Sequence, residues 1–270
     1  MSAFFRHRRL ATADWVVPIV ALLAVWELIS RSGIVDPVLL SSPTAAVGAL
    51  FDLAETQTGD GYSVLLLHVL SSVGSLALAL LLAVSVGVTV GILMGASGRV
   101  YRFLDPLLTV LMPIPGIAWA PIFMLWFGFG MPTIIAAGAL AAFFPLAYNT
   151  ATGVRSIDSR LLMAAGSMGA GRREVLLRFC VPGAAPSILT GLSLAFARGW
   201  RTVIAVEMVS ASLWGLGFMI MEGREYLRPA HIYGGIIVVG IVFLLLEWLV
   251  VRRLERTTVE RWGMRAPVEM

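Results

Sequence analysis

Two stretches of this sequence contain no Asp, Glu, Lys or Arg: 38 residues from Gly61 to Gly98, and 49 from Pro106 to Val154. About 20 apolar residues suffice to cross a bilayer as a helix. The first run is therefore long enough for one crossing and the second for two. Soluble chains carry about 25% charged residues; this one carries 13%, with 59% hydrophobic. The chain reads as an all-α polytopic membrane protein.

Composition also removes several chemistries. All 20 basic residues are Arg and none is Lys, so the phosphate-gripping Lys of a P-loop is absent. The single cysteine, Cys180, permits neither an intrachain disulfide nor a cysteine metal cage. The histidines (His7, His68, His231) lie far apart, and no Gly-x-Ser-x-Gly occurs. No catalytic residue or metal site is assigned to this chain.

Six hydrophobic segments follow, at roughly 14–33, 64–96, 103–127, 132–154, 183–209 and 231–251. Gly128-Phe129-Gly130-Met131-Pro132 divides the longer uncharged run. Glu27 inside the first segment, with no Ala-x-Ala site after it, marks an uncleaved anchor rather than a signal peptide. With six crossings both termini share one side. Placing them in the cytoplasm puts fifteen Arg on the inner segments against three outside, Arg31, Arg224 and Arg228. The positive-inside rule fixes that orientation.

The expected domains are 1–60 (cytoplasmic N-terminal tail, first crossing and an external amphipathic segment over 34–63), 61–255 (membrane core) and 256–270 (cytoplasmic tail). Within the core, a cytoplasmic helix–turn–helix spans 158–182. Asp158 caps its first helix, Gly169 and Gly171 break it, and a second short helix runs from Arg172 to Cys180 before Pro182. It is too polar to cross and too apolar to stay bare, so it is expected to dock on a partner.

This loop resembles the hallmark of bacterial ABC importer permeases: Glu-Ala-Ala, three residues, Gly, nine residues, then Ile-x-Leu-Pro. Here Met163-Ala164-Ala165, Gly169 and Phe179-Cys180-Val181-Pro182 fall in that register, with Met163 replacing the Glu. Pro113-Ile114-Pro115, Ala118-Trp119-Ala120-Pro121, Leu125-Trp126-Phe127-Gly128, Phe144-Pro145, Arg198-Gly199-Trp200, Glu207-Met208 and Gly215-Leu216-Gly217 look like the nitrate/sulfonate/taurine-type branch. The resemblance implies a type I importer permease fold in the bacterial inner membrane, a homodimer, two ATPase subunits and an external solute-binding protein. It implies that ATP and Mg are bound by the ATPase, with no cofactor in this chain. Met163, Ala164, Ala165, Gly169, Ala170 and Pro182 are then the ATPase-coupling residues.

Charge within a membrane helix is costly and normally faces the bundle interior or a partner. Arg198 and Arg201 are three apart, hence on one helical face. Two readings stand: they line a translocation pathway suited to an oxyanion, which Arg binds through its planar fork, or they pair with Glu207, Glu27 or Glu247. Trp119, Trp200 and Glu207 are placed on the pathway with them, Glu207 as part of a gate or an inter-helix ion pair. Gly87, Gly91 and Gly95 are spaced for close helix packing. Six of the 13 prolines lie between 106 and 145, either kinking helices or breaking one beside a water-filled path. Asp105, before Pro106, is expected to cap the third crossing.

The function expected is transport of a small oxyanion such as nitrate, a sulfonate or taurine, by alternating access driven by the partner ATPase. The alternatives are the same role for a pyrimidine or flavin vitamin precursor, or an ATPase-independent secondary transporter. The remaining contact is membrane lipid; no nucleic acid is expected.

Overall fold

The computed structural model describes residues 12–210 and 213–255. The basic stretch Arg6, Arg8, Arg9 and the tail 256–270 lie outside the described residues. Among these, thirteen α-helices occur and no strand, apart from one isolated bridge between Gln57 and Ser63. They are α1 (Thr12–Arg31), α2 (Pro43–Glu55), α3 (Val64–Ala96), α4 (Gly98–Leu111), α5 (Ala120–Phe127) and α6 (Met131–Arg155). There follow α7 (Ser159–Ser167), α8 (Arg172–Val175), α9 (Val181–Gly183), α10 (Ala185–Glu207), α11 (Leu216–Glu225), α12 (Pro229–Leu246) and α13 (Arg252–Glu255).

Three helices, α3, α6 and the one beginning at Pro229, are each long and apolar enough to cross a membrane. Two bent pairs bring the count to five if each pair is one crossing: Gly98–Leu111 with Gly116–Phe127, bent by 96°, and Arg172–Gly183 with Ala185–Glu207, bent by 60°. The first bend has a local cause. Pro113 and Pro115 each lack the N–H a continuing helix needs, so α4 stops at Leu111, and a 3-10 turn (Gly116–Trp119) redirects the chain into α5. The third hydrophobic segment is thus a bent pair of helices rather than one straight helix. It also starts earlier than Asp105: Ser97 caps α4, its Oγ accepting from the Val100 N–H, so Asp105 lies mid-helix rather than at a cap.

The frame of the molecule is α3, α6 and α10. In lipid, apolar side chains gain little by exchanging acyl tails for a neighbouring helix, so close packing and dispersion contacts must hold the frame. The glycine stripe on α3 supplies the closeness. A Cβ at Gly91 would sit 2.5 Å from Thr150 Cβ and 2.6 Å from the Ala147 carbonyl oxygen; one at Gly95 would sit 2.5 Å from Val154 Cβ. Hydrogen at these positions lets α3 lie directly on α6.

On the far side of the frame, Leu76, Phe196, Trp200, Ile204, Leu216, Met219 and Val238 form a core joining α3, α10, α11 and α12. The segment 34–63 folds as α2, capped by Ser42, and packs against α12. Tyr233 on α12 donates its hydroxyl to the Leu39 carbonyl at 3.0 Å. Helix α1 is tied to that segment by polar contacts: Trp26 Nε1–H to the Ser41 carbonyl at 3.0 Å, and Thr44 Oγ1–H to Glu27 Oε1 at 2.8 Å. Its apolar residues Val17, Leu22 and Leu28 are well exposed.

Candidate functional site

Helix α10 presents two faces of different character. Phe196, Trp200, Val203 and Ile204 point into the bundle and are buried. Arg198 and Arg201 point the other way and are exposed. Both arginines line a cavity of about 300 Å³ together with the Met112–Gly116 break, Ala141, Phe144 and Thr202. A second cavity, of about 410 Å³, adjoins it through Met112, Pro113 and Arg198 and adds Thr109 and Tyr148. No carboxylate lines either one.

Among the described residues, the ion pairs are Arg31–Glu27 and Arg178–Glu174. Glu27, one proposed partner for the arginines, is thus engaged on its own helix, and neither Arg198 nor Arg201 has a counter-ion among the described residues. The cavity wall therefore carries two arginines that have no ion-pair partner among the described residues.

Glu207 lies elsewhere. It is 1% exposed, and its Oε2 accepts from Ser72 Oγ–H at 2.8 Å and from the Gly217 N–H at 2.9 Å. Ser72 Oγ in turn accepts from the Leu216 N–H at 2.8 Å, Ser71 donates to the Trp214 carbonyl at 2.9 Å, and His68 Nδ1 lies within hydrogen-bond distance of the Gly215 backbone. The turn before α11 is thereby clamped to α3. Gly215 must be glycine there: a Cβ would fall 2.7 Å from Glu207 Cδ. Trp200 is 3% exposed within the core and lines neither cavity. Trp119 packs half-buried against the cluster of Phe123, Ile134, Val203 and Val206, its Nε1 without a partner.

The hairpin forms as its sequence signals direct. Asp158 Oδ1 accepts from the Arg160 N–H at 2.8 Å, capping α7. Gly169 closes the turn at φ 86°, where any side chain is strained. The return strand of the hairpin is helical through Gly183, with one π-helical turn over Leu176–Cys180. Leu162, Val175 and Leu176 seat it on Val154, Cys180 and Ala184. The motif residues divide by direction. Ala165 is buried at 4% exposure, holding α7 down; Met163 is 63% exposed, and Ala164, Gly169 and Pro182 also face outward, while Ala170 is half-buried.

Sequence reasoning had not singled out Thr109, Tyr148, Thr202, His68, Ser71 or Ser72. The last three were visible as polar residues inside an uncharged crossing, where each needs a partner. Among the described residues, no group of three His, Cys, Asp or Glu is placed to hold a metal ion.

Residues 87–256 match the binding-protein-dependent transport system inner membrane components, and the chain belongs to that family. It is an ABC importer permease of the nitrate/sulfonate/taurine type, a multi-pass protein of the inner membrane. The chain is 37% identical to the taurine transport system permease protein TauC of Escherichia coli K12, over 87% of this chain and 84% of that one. It is 33% identical to the putative aliphatic sulfonates transport permease protein SsuC of Bacillus subtilis 168, over 87% and 82%. To the formylaminopyrimidine transport permease protein ThiX of Halalkalibacterium halodurans it is 30% identical, over 83% and 86%. The MetNI methionine ABC transporter in its inward-facing conformations shares the fold, with TM-score 0.56 and 18% identity over 71% of this chain and 96% of that one.

Proposed function

We propose that this chain is the membrane-spanning subunit of an ATP-driven importer for a small oxyanion, with a sulfonate as the leading class. The observation that carries the reading is the pair Arg198 and Arg201, side by side without a counter-ion on the cavity wall. A sulfonate presents pairs of acceptor oxygens that the planar donor fork of a guanidinium can bond bidentately. Bare guanidinium against lipid is costly, so this face belongs against a second copy of the chain and the water between them. Two copies then contribute four arginines to one path.

On this reading the chain crosses the membrane six times, α1 included, with both termini in the cytoplasm where its arginines concentrate. An external solute-binding protein delivers the solute to the cavity. Two ATP-binding subunits grip the outward-facing residues of the hairpin, Met163, Ala164 and Gly169, and hold the ATP and Mg. Their closing and opening moves the hairpin and alternates the access of the cavity. The name of ThiX supports a second reading, with a pyrimidine as solute; the unpaired arginines favour the anion.

The test is reconstitution of the full complex in vesicles, with uptake of taurine, an alkanesulfonate and a formylaminopyrimidine compared. ATP-dependent sulfonate or taurine uptake is expected. Arg198→Ala and Arg201→Ala should each lower it by about tenfold or more, the value of one charge-assisted hydrogen bond, with the ATPase still co-purifying. Loss of the complex itself would assign the arginines a structural role. Pyrimidine uptake alone would install the second reading, and transport without ATP would sink both.

A further inference from the structure

The two cavities meet at Met112, Pro113 and Arg198, share that one cation, and differ in the polar groups beyond it. The larger charge lies in the cavity away from the hairpin, where Arg201 joins Arg198. The cavity nearer the hairpin has Arg198 alone, with the hydroxyl-bearing Thr109 and Tyr148 on its wall. Chain direction orders them. Helix α10 leaves the hairpin at Ala185 and reaches Arg198 one turn before Arg201, while α6 returns toward the hairpin and reaches Tyr148 after Ala141 and Phe144.

We infer that the pathway holds the solute's oxyanion at two successive positions that share Arg198: an outer one completed by Arg201, and an inner one completed by the hydroxyls of Thr109 and Tyr148. This rests on the oxyanion reading above and adds a direction to it. Five N–H donors in a planar fork let one guanidinium serve an anion on either side. Passing inward, the anion exchanges a charged donor for neutral ones, and neutral hydrogen bonds are about half as strong as charge-assisted ones. The outer position captures and the inner one releases. A conducting path needs that combination, since a site that only binds tightly does not pass its solute on.

The structure also supplies the means of testing this without knowing the solute. Cys180 is the sole cysteine, so Cys180→Ser gives a background in which one introduced thiol reports local potential. Thr109→Cys reports the inner position and Ile114→Cys, on the wall of the outer cavity, the outer one. In the assembled complex, each is treated with an anionic reagent, 2-sulfonatoethyl methanethiosulfonate, and a cationic one, 2-(trimethylammonio)ethyl methanethiosulfonate. The anion-to-cation rate ratio is compared with that of a free thiol. Both positions should favour the sulfonate.

Arg198→Gln should lower the ratio at both positions by about tenfold, as removal of one unit charge within a few ångströms in a partly aqueous site does. Arg201→Gln should lower it at Ile114→Cys and leave it within about twofold at Thr109→Cys. Arg198→Lys, which keeps the charge, should restore most of the ratio and guards against a folding defect in Arg198→Gln. Equal responses of both positions to Arg201→Gln would mean one undivided site, and the inference would fall. So it would if Thr109→Cys reacted with neither reagent, or if Arg198→Lys restored nothing. A ratio at Ile114→Cys no higher than that of a free thiol would instead remove the oxyanion reading itself.

Discussion

Ser72 Oγ donates to Glu207 Oε2 at 2.8 Å across 135 positions of sequence, and the same hydroxyl accepts the Leu216 backbone N–H at 2.8 Å. One serine thus joins three elements, α3, the end of α10 and the start of α11, at a point sealed from solvent. Glu207 completes the join by accepting from Gly217. The carboxylate therefore serves the bundle, whereas the arginines one to three turns earlier on α10 serve the cavity.

That division is testable through Glu207 itself. Glu207→Ala leaves the Ser72 hydroxyl and the Gly217 N–H buried without an acceptor, at about 1–3 kcal/mol each. Glu207→Gln keeps an oxygen in place and should cost much less. The thermal midpoint of the detergent-solubilised complex should fall clearly for the alanine variant and little for the glutamine one. Equal effects would contradict the hydrogen-bond account.

The glycine stripe gives a sharper steric forecast. Gly91→Ala places a methyl carbon 2.5 Å from Thr150 Cβ and must push α3 off α6, with overpacking costs of about 1–3 kcal/mol. Gly74→Ala, on the same helix, meets nothing within 4 Å and should be neutral or slightly stabilising, since alanine favours helix. Fluorescence-detected gel filtration after heating compares the two directly.

In the hairpin, buried and exposed motif positions should fail differently. Ala165→Trp forces bulk beneath α7, so the permease itself should lose stability. Ala164→Trp points away from the protein and should leave its thermal midpoint unchanged, shifting it by no more than about 0.5 kcal/mol in stability, while abolishing co-purification of the ATPase. Gly169→Ala imposes about 1–2 kcal/mol of backbone strain on the turn and should weaken co-purification in proportion.

Trp200 provides the converse of the arginines. Its ring belongs to the core of Leu76, Phe196 and Met219, so Trp200→Ala should cost about 3–5 kcal/mol and reduce the yield of folded protein. Trp200→Phe should retain uptake per folded molecule. A selective loss of uptake in a stable Trp200→Phe complex would return that residue to the pathway.

Much of this was legible in the sequence, and the exceptions share a cause. Three of the expected spans, the Asp158 cap and the Gly169 turn are local: each is written in consecutive residues, and α3 runs over Val64–Ala96 as the uncharged run suggests. The cavity and the clamp are not local. A helix that is apolar on every side gives no periodic sign of which face meets protein and which meets lipid. Arg198 and Arg201 could be assigned to one face, but only the folded chain shows that no carboxylate among the described residues pairs with them. Likewise, nothing near Glu207 in sequence points to Ser72, and the break at Met112–Pro115 becomes a cavity wall only because Arg198 and Thr202 stand opposite it.

The 60° bend where the hairpin meets α10 has a mechanical corollary. From Ala185 to Arg198 the helix runs unbroken for thirteen steps, about 20 Å of stiff rod. A swing of about 10° about that elbow would carry the guanidinium through an arc of about 3–4 Å, more than the length of a hydrogen bond at about 2.7–3.2 Å. A small tilt of the lever is thus sufficient to make or break any hydrogen bond the Arg198 guanidinium forms.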